Sequence, residues 1–259
     1  MKVIINADDF GYDSDTVKST IDAFIRGTIT SATIMPNMPG TAEAIRFAKD
    51  HPQFSFGVHL TYSRTTCERP ICTNHASQGL TDITGSFKTA NDLRSLALIG
   101  RISKKDIELE TIAQIERMMT SGVHISHVDS HGHLHKFPVF QSVLRDILPR
   151  FSLRRVRAVQ NVFFGPRVLR PTSWFSGTWG RMISDSFITT SHMYMPAGIF
   201  DLRWSSRLLE VIPRDACIEV GVHPGMAEPW RLLQIIEADK FVSTCRHVSV
   251  DLATWNDIT

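Results

Sequence analysis

The stretch "KVIINADD", from Lys2 to Asp9, decides how the chain folds. Its first six residues form a short, β-branched, apolar run that stops at two aspartates, which reads as a buried strand with polar groups at its carboxyl end. A helix follows. Val17, Ile21, Phe24 and Ile25 recur at helical spacing, and Gly27 stands where a helix C-terminus favours a left-handed residue. "TSATIM" (30–35) gives a second strand, Thr41 to Lys49 a short helix, and "FSFGVHL" (54–60) a third strand. Beyond Ser103, whose hydroxyl can cap it, a firm helix carries Ile107, Ile112, Ile115 and Met119 along one side, with the Met118 and Met119 pair as core filler. "HISHVDS" (124–130) is a fourth strand, and Pro138 opens a helix with Phe140, Val143, Leu144 and Ile147 on its buried face. "RRVRAV" (154–159), "CIEVGVH" (217–223) and "VSVDLATW" (248–255) supply further strands, separated by helices near Leu202 to Val211 and Trp230 to Glu237. Strands alternating with helices imply an α/β fold with a mainly parallel sheet or barrel.

The bulk properties agree with a single domain spanning 1–259. At 259 residues and 42% hydrophobic content the chain can bury a large core, and α/β barrels of this size commonly form one unit. Two excursions, near 62–103 and 161–198, have weak periodicity and many turn formers. A net charge of +2 from 28 basic and 26 acidic residues, with no long basic block, excludes a nucleic-acid binder. No run of about 20 apolar residues exists, and "VII" after Lys2 is too short for an export signal, so the expectation is a cytoplasmic protein with no membrane partner. The four cysteines form no CxxC pair and read as free thiols. Cys67, Cys72 and His75 match no common zinc spacing.

The chemistry sits where the strands end. "HVDSHGHLH" (127–135) holds four of the eleven histidines; if extended, it puts His127, Asp129 and His131 on one face. Asp8 and Asp9, His59, Asp129 with His131, and His223 all fall at strand carboxyl ends, which in parallel α/β folds share one edge where sites are built. Imidazoles with carboxylates suit a divalent cation, and one of two neighbouring aspartates can bind it while the other accepts a proton. Spacing alone leaves other assignments open, with "DD" as a capping pair and single histidines as core residues.

Taken together these motifs resemble the carbohydrate deacetylases of the YdjC/ChbG type. "NADDFG" (6–11), "TSATIMPNMP" (30–39), "GVHL" (57–60), "SHVDSHGHLHKFP" (126–138) and "HPG" (223–225) occur in the family's order and cover most of residues 1–150 plus the last forty or so. The resemblance implies a distorted or incomplete TIM-like (β/α) barrel that removes the N-acetyl group from an amino sugar or small oligosaccharide. It implies one divalent metal ion, magnesium or zinc, bound by Asp9, His59 and His131, with Asp8 as general base and His223 as general acid. Gly132 departs from the pattern, because the family usually has histidine there. His127 and Asp129 are expected to fix ring tautomers or orient Asp8. His135, four residues after His131, is an alternative ligand if that segment is helical; His133 is read as structural. Arg157 is open as a substrate contact or a surface ion pair, and Tyr62, Trp174, Trp179 and Trp230 as sugar-stacking or core residues. A homodimer is left open. Two other classes stay in view: a metal-dependent phosphoesterase or cyclic amidohydrolase on the same scaffold, and a non-catalytic carbohydrate-binding homologue.

Overall fold

The computed structural model describes residues 1–66, 68–72, 79–164, 176–196, 201 and 203–259. Among them, seven strands form one sheet in the order β4-β3-β2-β1-β6-β5, with β7 paired to β1. These are β1 (Lys2–Phe10), β2 (Ser31–Ile34), β3 (Ser55–Leu60), β4 (Ile125–Ser130), β5 (His192–Tyr194), β6 (Cys217–Val222) and β7 (Asp251–Leu252). Every pairing is parallel. Eight α-helices intervene: α1 (Ser14–Ile25), α2 (Thr41–Asp50), α3 (Ala90–Leu98), α4 (Lys104–Thr120), α5 (Pro138–Ile147), α6 (Ser176–Ser184), α7 (Ser205–Val211) and α8 (Pro229–His247). No helix among the described residues is long and apolar enough to cross a membrane.

The sheet curls into an incomplete barrel. Beyond β4, residues 154–158 occupy the next strand's place but are tied only by the bridges Val128↔Val156 and Arg155↔Ile188. The expected fifth strand is therefore two isolated bridges, one to β4 and one to Ile188. The last strand shrinks to Asp251–Leu252, and Trp255 instead enters a 3-10 turn that packs with Ile4 and Ile258 inside the barrel floor. The second excursion contains α6 and β5, elements too short to leave a periodic signal. The first holds α3, capped by Thr89, and inserts Leu80, Phe87 and Leu93 into the main core. On α4, Ser103 caps as expected and Met118 is buried, but Met119 is 45% exposed because helical rotation carries it past the apolar stripe. Cys72, Cys217 and Cys245 are free thiols; Cys67, His75 and Trp174 lie outside the described residues.

Candidate metal centre

The carboxyl ends of β1, β3 and β4 bring the expected groups together. Asp9 Oδ1 lies 3.0 Å from His131 Nδ1 and 3.3 Å from His59 Nε2. One donor atom from each of Asp9, His59 and His131 falls within 4.8 Å of the other two, a spacing that one divalent cation can bridge. Asp9 and His59 are buried, while His131 opens towards solvent. His131 is no longer on β4: it begins a 3-10 turn in which Gly132 and His133 take left-handed φ values of 64° and 54°.

His59 is oriented from behind. Its Nδ1 lies 2.7 Å from Asp129 Oδ1, which leaves Nε2 facing Asp9. Such an outer carboxylate fixes the tautomer of a ligating imidazole. Burial alone lowers the His59 pKa, but the Asp129 and Asp9 carboxylates overrule it and raise it to about 10. Negative charge around Nε2 therefore seeks a positive partner, proton or metal.

A second group, Asp8, His59 and Asp129, also has donors within 4.8 Å, but both of its carboxylates are already engaged by one guanidinium. Arg157, fully buried, donates from Nη1 to Asp8 Oδ2 and from Nη2 to Asp8 Oδ1, both at 2.7 Å. Its Nη1 also lies 2.6 Å from Asp129 Oδ2, and Nε and Nη2 reach Glu219 Oε1 at 3.0 and 2.8 Å. Burial raises the Asp8 pKa, yet the bidentate guanidinium wins and holds it well below the usual carboxylate range. Asp9 moves the same way, because the His131 and His59 contacts outweigh its burial. Glu219 goes the other way: burial pushes its carboxyl up to about 7 against the pull of Arg157. Asn6 Nδ2 donates to Asp8 Oδ1 at 2.9 Å, and Thr33 Oγ1 donates to Asp129 Oδ2 at 3.1 Å.

His223 stands across the site after β6. Gln234 Oε1 accepts from its backbone N–H at 2.8 Å and lies 3.3 Å from its Nδ1, and a positive charge on this ring would favour the ionised forms of both Asp8 and Asp9. Trp230 packs against it at 5.4 Å between ring centroids and is 45% exposed.

Several expectations change. His135 is buried and bonds Ser130 Oγ through Nδ1 at 2.8 Å; the 3-10 turn removes the α-helical spacing from His131 on which its expected role as an alternative ligand depended. His127 is one layer lower, stacked on Trp255 at 4.6 Å with Nδ1 on Ser126 Oγ, so it orients nothing in the site. Tyr62 is fully buried with its hydroxyl 2.7 Å from Thr111 Oγ1, and Trp179 packs on Phe137, so both are core residues. Arg157 is not a surface ion pair but the buried hub of three carboxylates. Glu219, Asn6, Thr33 and Arg231 were not singled out by sequence; for Glu219 the available signal was a charge inside a run otherwise read as a buried strand, "CIEVGVH".

Residues 2–257 match the YdjC-like protein family. The chain belongs to that family. A carbohydrate deacetylase of Brevibacillus brevis is 31% identical over 231 residues, covering 87% of this chain and 82% of that one. One from Geobacillus stearothermophilus is 39% identical over 150 residues, 58% of this chain and 57% of the relative. A crystal structure from Enterococcus faecalis, assigned to cellobiose-phosphate cleavage, superposes with a TM-score of 0.81 at 22% identity over 98% of this YdjC-like chain and 97% of its own. A lactam utilization protein of Thermus thermophilus shares the fold at a TM-score of 0.51 and 15% identity, covering 98% of this chain and 100% of that one.

Proposed function

We propose that this YdjC-like protein is a metal-dependent carbohydrate deacetylase that hydrolyses the N-acetyl group of an amino sugar or small oligosaccharide. The observation that carries the reading is the pairing of an ion-sized cluster, Asp9, His59 and His131, with an adjacent aspartate kept ionised by Arg157. The carbohydrate deacetylases among its relatives support the substrate class.

One carboxylate oxygen and two imidazoles suit zinc and related divalent ions, and magnesium is open through the family. A cation held by Asp9, His59 and His131 would polarise the acetamide carbonyl and make water a better nucleophile. Asp9 and the two histidines supply the donors, with Asp129 fixing the His59 ring. Asp8 takes the proton of the attacking water: among the described residues its Oδ2 accepts only from Arg157 Nη1, so a carboxylate lone pair remains there. Arg157 holds that carboxylate in place and ionised. His223, opposite, delivers a proton to the departing amine nitrogen as general acid. Trp230 offers an exposed ring at the same edge for the apolar face of a sugar.

The test is acetate release from N-acetylglucosamine oligomers by chelated protein with zinc, magnesium, manganese or cobalt restored. Ion-dependent acetate supports the reading. Phosphate release from phosphoesters, without acetate from any acetylated sugar, sinks it in favour of a phosphoesterase.

A further inference from the structure

The "HPG" turn after β6 does more than present His223. Two residues into α8, Arg231 folds back to the metal cluster, where its Nη2 lies 3.4 Å from Asp9 Oδ2. Its Nε is also 3.4 Å from Glu228 Oε2, and the guanidinium sits 4.9 Å from the Trp230 ring centroid. Both polar contacts are longer than a well-made N–H···O bond. Nη1 is buried and has no hydrogen-bond partner among the described residues. The guanidinium is thus loosely held, with Asp9 as one of its two anionic contacts.

Asp9 divides its two oxygens accordingly. Oδ1 faces His59 and His131, and Oδ2 faces Arg231. Gly225 makes this possible. A Cβ at that position would come 2.6 Å from Arg231 Cδ and 3.2 Å from Asp15 Oδ2. Asp15 Oδ2 in turn accepts from the Met226 and Ala227 backbone N–H groups, which pins the turn. The glycine of "HPG" is therefore needed for space: it is the slot through which the Arg231 stem passes.

We propose that Arg231 is a positioning residue for Asp9, a displaceable counter-charge that leaves one carboxylate oxygen to the cation and weakens the cation's hold. This rests on the metal-centre reading above. A positive group a few ångströms from a ligating carboxylate repels an incoming cation and occupies the second oxygen, Oδ2. With Oδ2 engaged, Asp9 binds through Oδ1 alone, and a coordination position stays open for water or substrate. Without Arg231, Asp9 is free to use both oxygens and the ion is held more tightly.

The experiment is calorimetric titration of chelated, full-length protein with Mn²⁺ and with Zn²⁺, comparing wild type, Arg231→Gln, Arg231→Lys and Gly225→Ala, with thermal melts alongside. Arg231→Gln is expected to bind the ion about tenfold more tightly or better, Arg231→Lys to fall back towards wild type, and Gly225→Ala to tighten binding by displacing the Arg231 stem. A residue that only props up the fold would weaken binding or leave it unchanged. Equal or weaker affinity in a folded Arg231→Gln overturns the proposal; if that variant does not fold, equal or weaker affinity in Gly225→Ala does so. A wild type that binds neither ion overturns the metal-centre reading and this inference with it, whereas normal wild-type binding without tightening in the variants overturns this inference alone.

Discussion

Replacing Arg157 by Met keeps a long side chain in the barrel but removes the charge shared by Asp8, Asp129 and Glu219. All four groups are buried, so no water replaces the lost contacts. Removing one partner of a buried ion pair costs ~3–5 kcal/mol. For a chain of this size each kcal/mol moves the melting temperature ~2–4 °C, so the variant should melt ~6–20 °C lower near pH 8. The deficit has a definite pH dependence. In the wild type Asp8 is held below its ordinary 3.8, so its contribution is present above that value and is lost only as pH falls further. Without Arg157, burial dominates: it raises the Asp8 carboxyl above its unfolded value and lifts Glu219, already up at about 7 in the wild type, further. Such groups favour the fold while protonated and oppose it as pH rises through their folded pKa. The gap between the two proteins should therefore widen from pH 5 to pH 8. Differential scanning calorimetry of both chelated proteins across that range measures it. A gap that is flat with pH, or that narrows towards pH 8, refutes the account of Arg157 as the charge that keeps Asp8 ionised.

Asp8→Asn should retain the cation in elemental analysis yet lose turnover by about 10²–10⁴-fold, the usual contribution of a general base; equal activity in the two proteins removes Asp8 from that role. His59→Ala should lose the cation first, seen as an absence of bound metal in protein that still folds by circular dichroism. Asp129→Asn keeps the size of the side chain but weakens its hold on His59 Nδ1, so cation affinity should fall about 10–100-fold by titration; unchanged affinity would mean that His59 does not need its outer partner.

The elements that sequence predicted well are those whose pattern is set locally. β1, β3 and β4 are short apolar runs with polar ends, and α1, α4 and α5 have an apolar stripe with a cap or an N-terminal proline. The convergence of Asp9, His59 and His131 was legible because parallel strands place their carboxyl ends together whatever their separation along the chain, whereas their selection from the other strand-end residues came from the family resemblance. What stayed hidden depends on distant partners. "RRVRAV" has the composition of a strand, but only single bridges to Val128 and Ile188 hold it. Arg157 within it is identified by carboxylates 149 residues before and 62 residues after it. His135 misled because i,i+4 spacing presumes an α-helix, and the left-handed residues at Gly132 and His133 impose a different turn.

The adjacent aspartates pose a geometric problem that the backbone solves. In a regular strand successive side chains point to opposite faces, so Asp8 and Asp9 cannot both reach one site. Along β1, Ile4 lies in the barrel-floor cluster and Asp8 meets Arg157, which fixes the even-numbered residues inward, while Val3, Ile5 and Ala7 join the main core. Phe10 breaks that parity: it too lies in the main core, with Phe47 and Phe56. The pairing with β2 shows where the step occurs, since Ala7↔Ala32 is followed by Phe10↔Ile34, three residues against two. One extra residue is inserted, as in a β-bulge. Asp9 takes a left-handed φ of 59° there, a conformation that is strained for a residue with a Cβ. That irregularity turns the Asp9 carboxylate towards His59 and His131 while Asp8 keeps Arg157. Two neighbouring carboxylates thereby acquire separate partners, and the division of labour proposed for them rests on one added residue in β1.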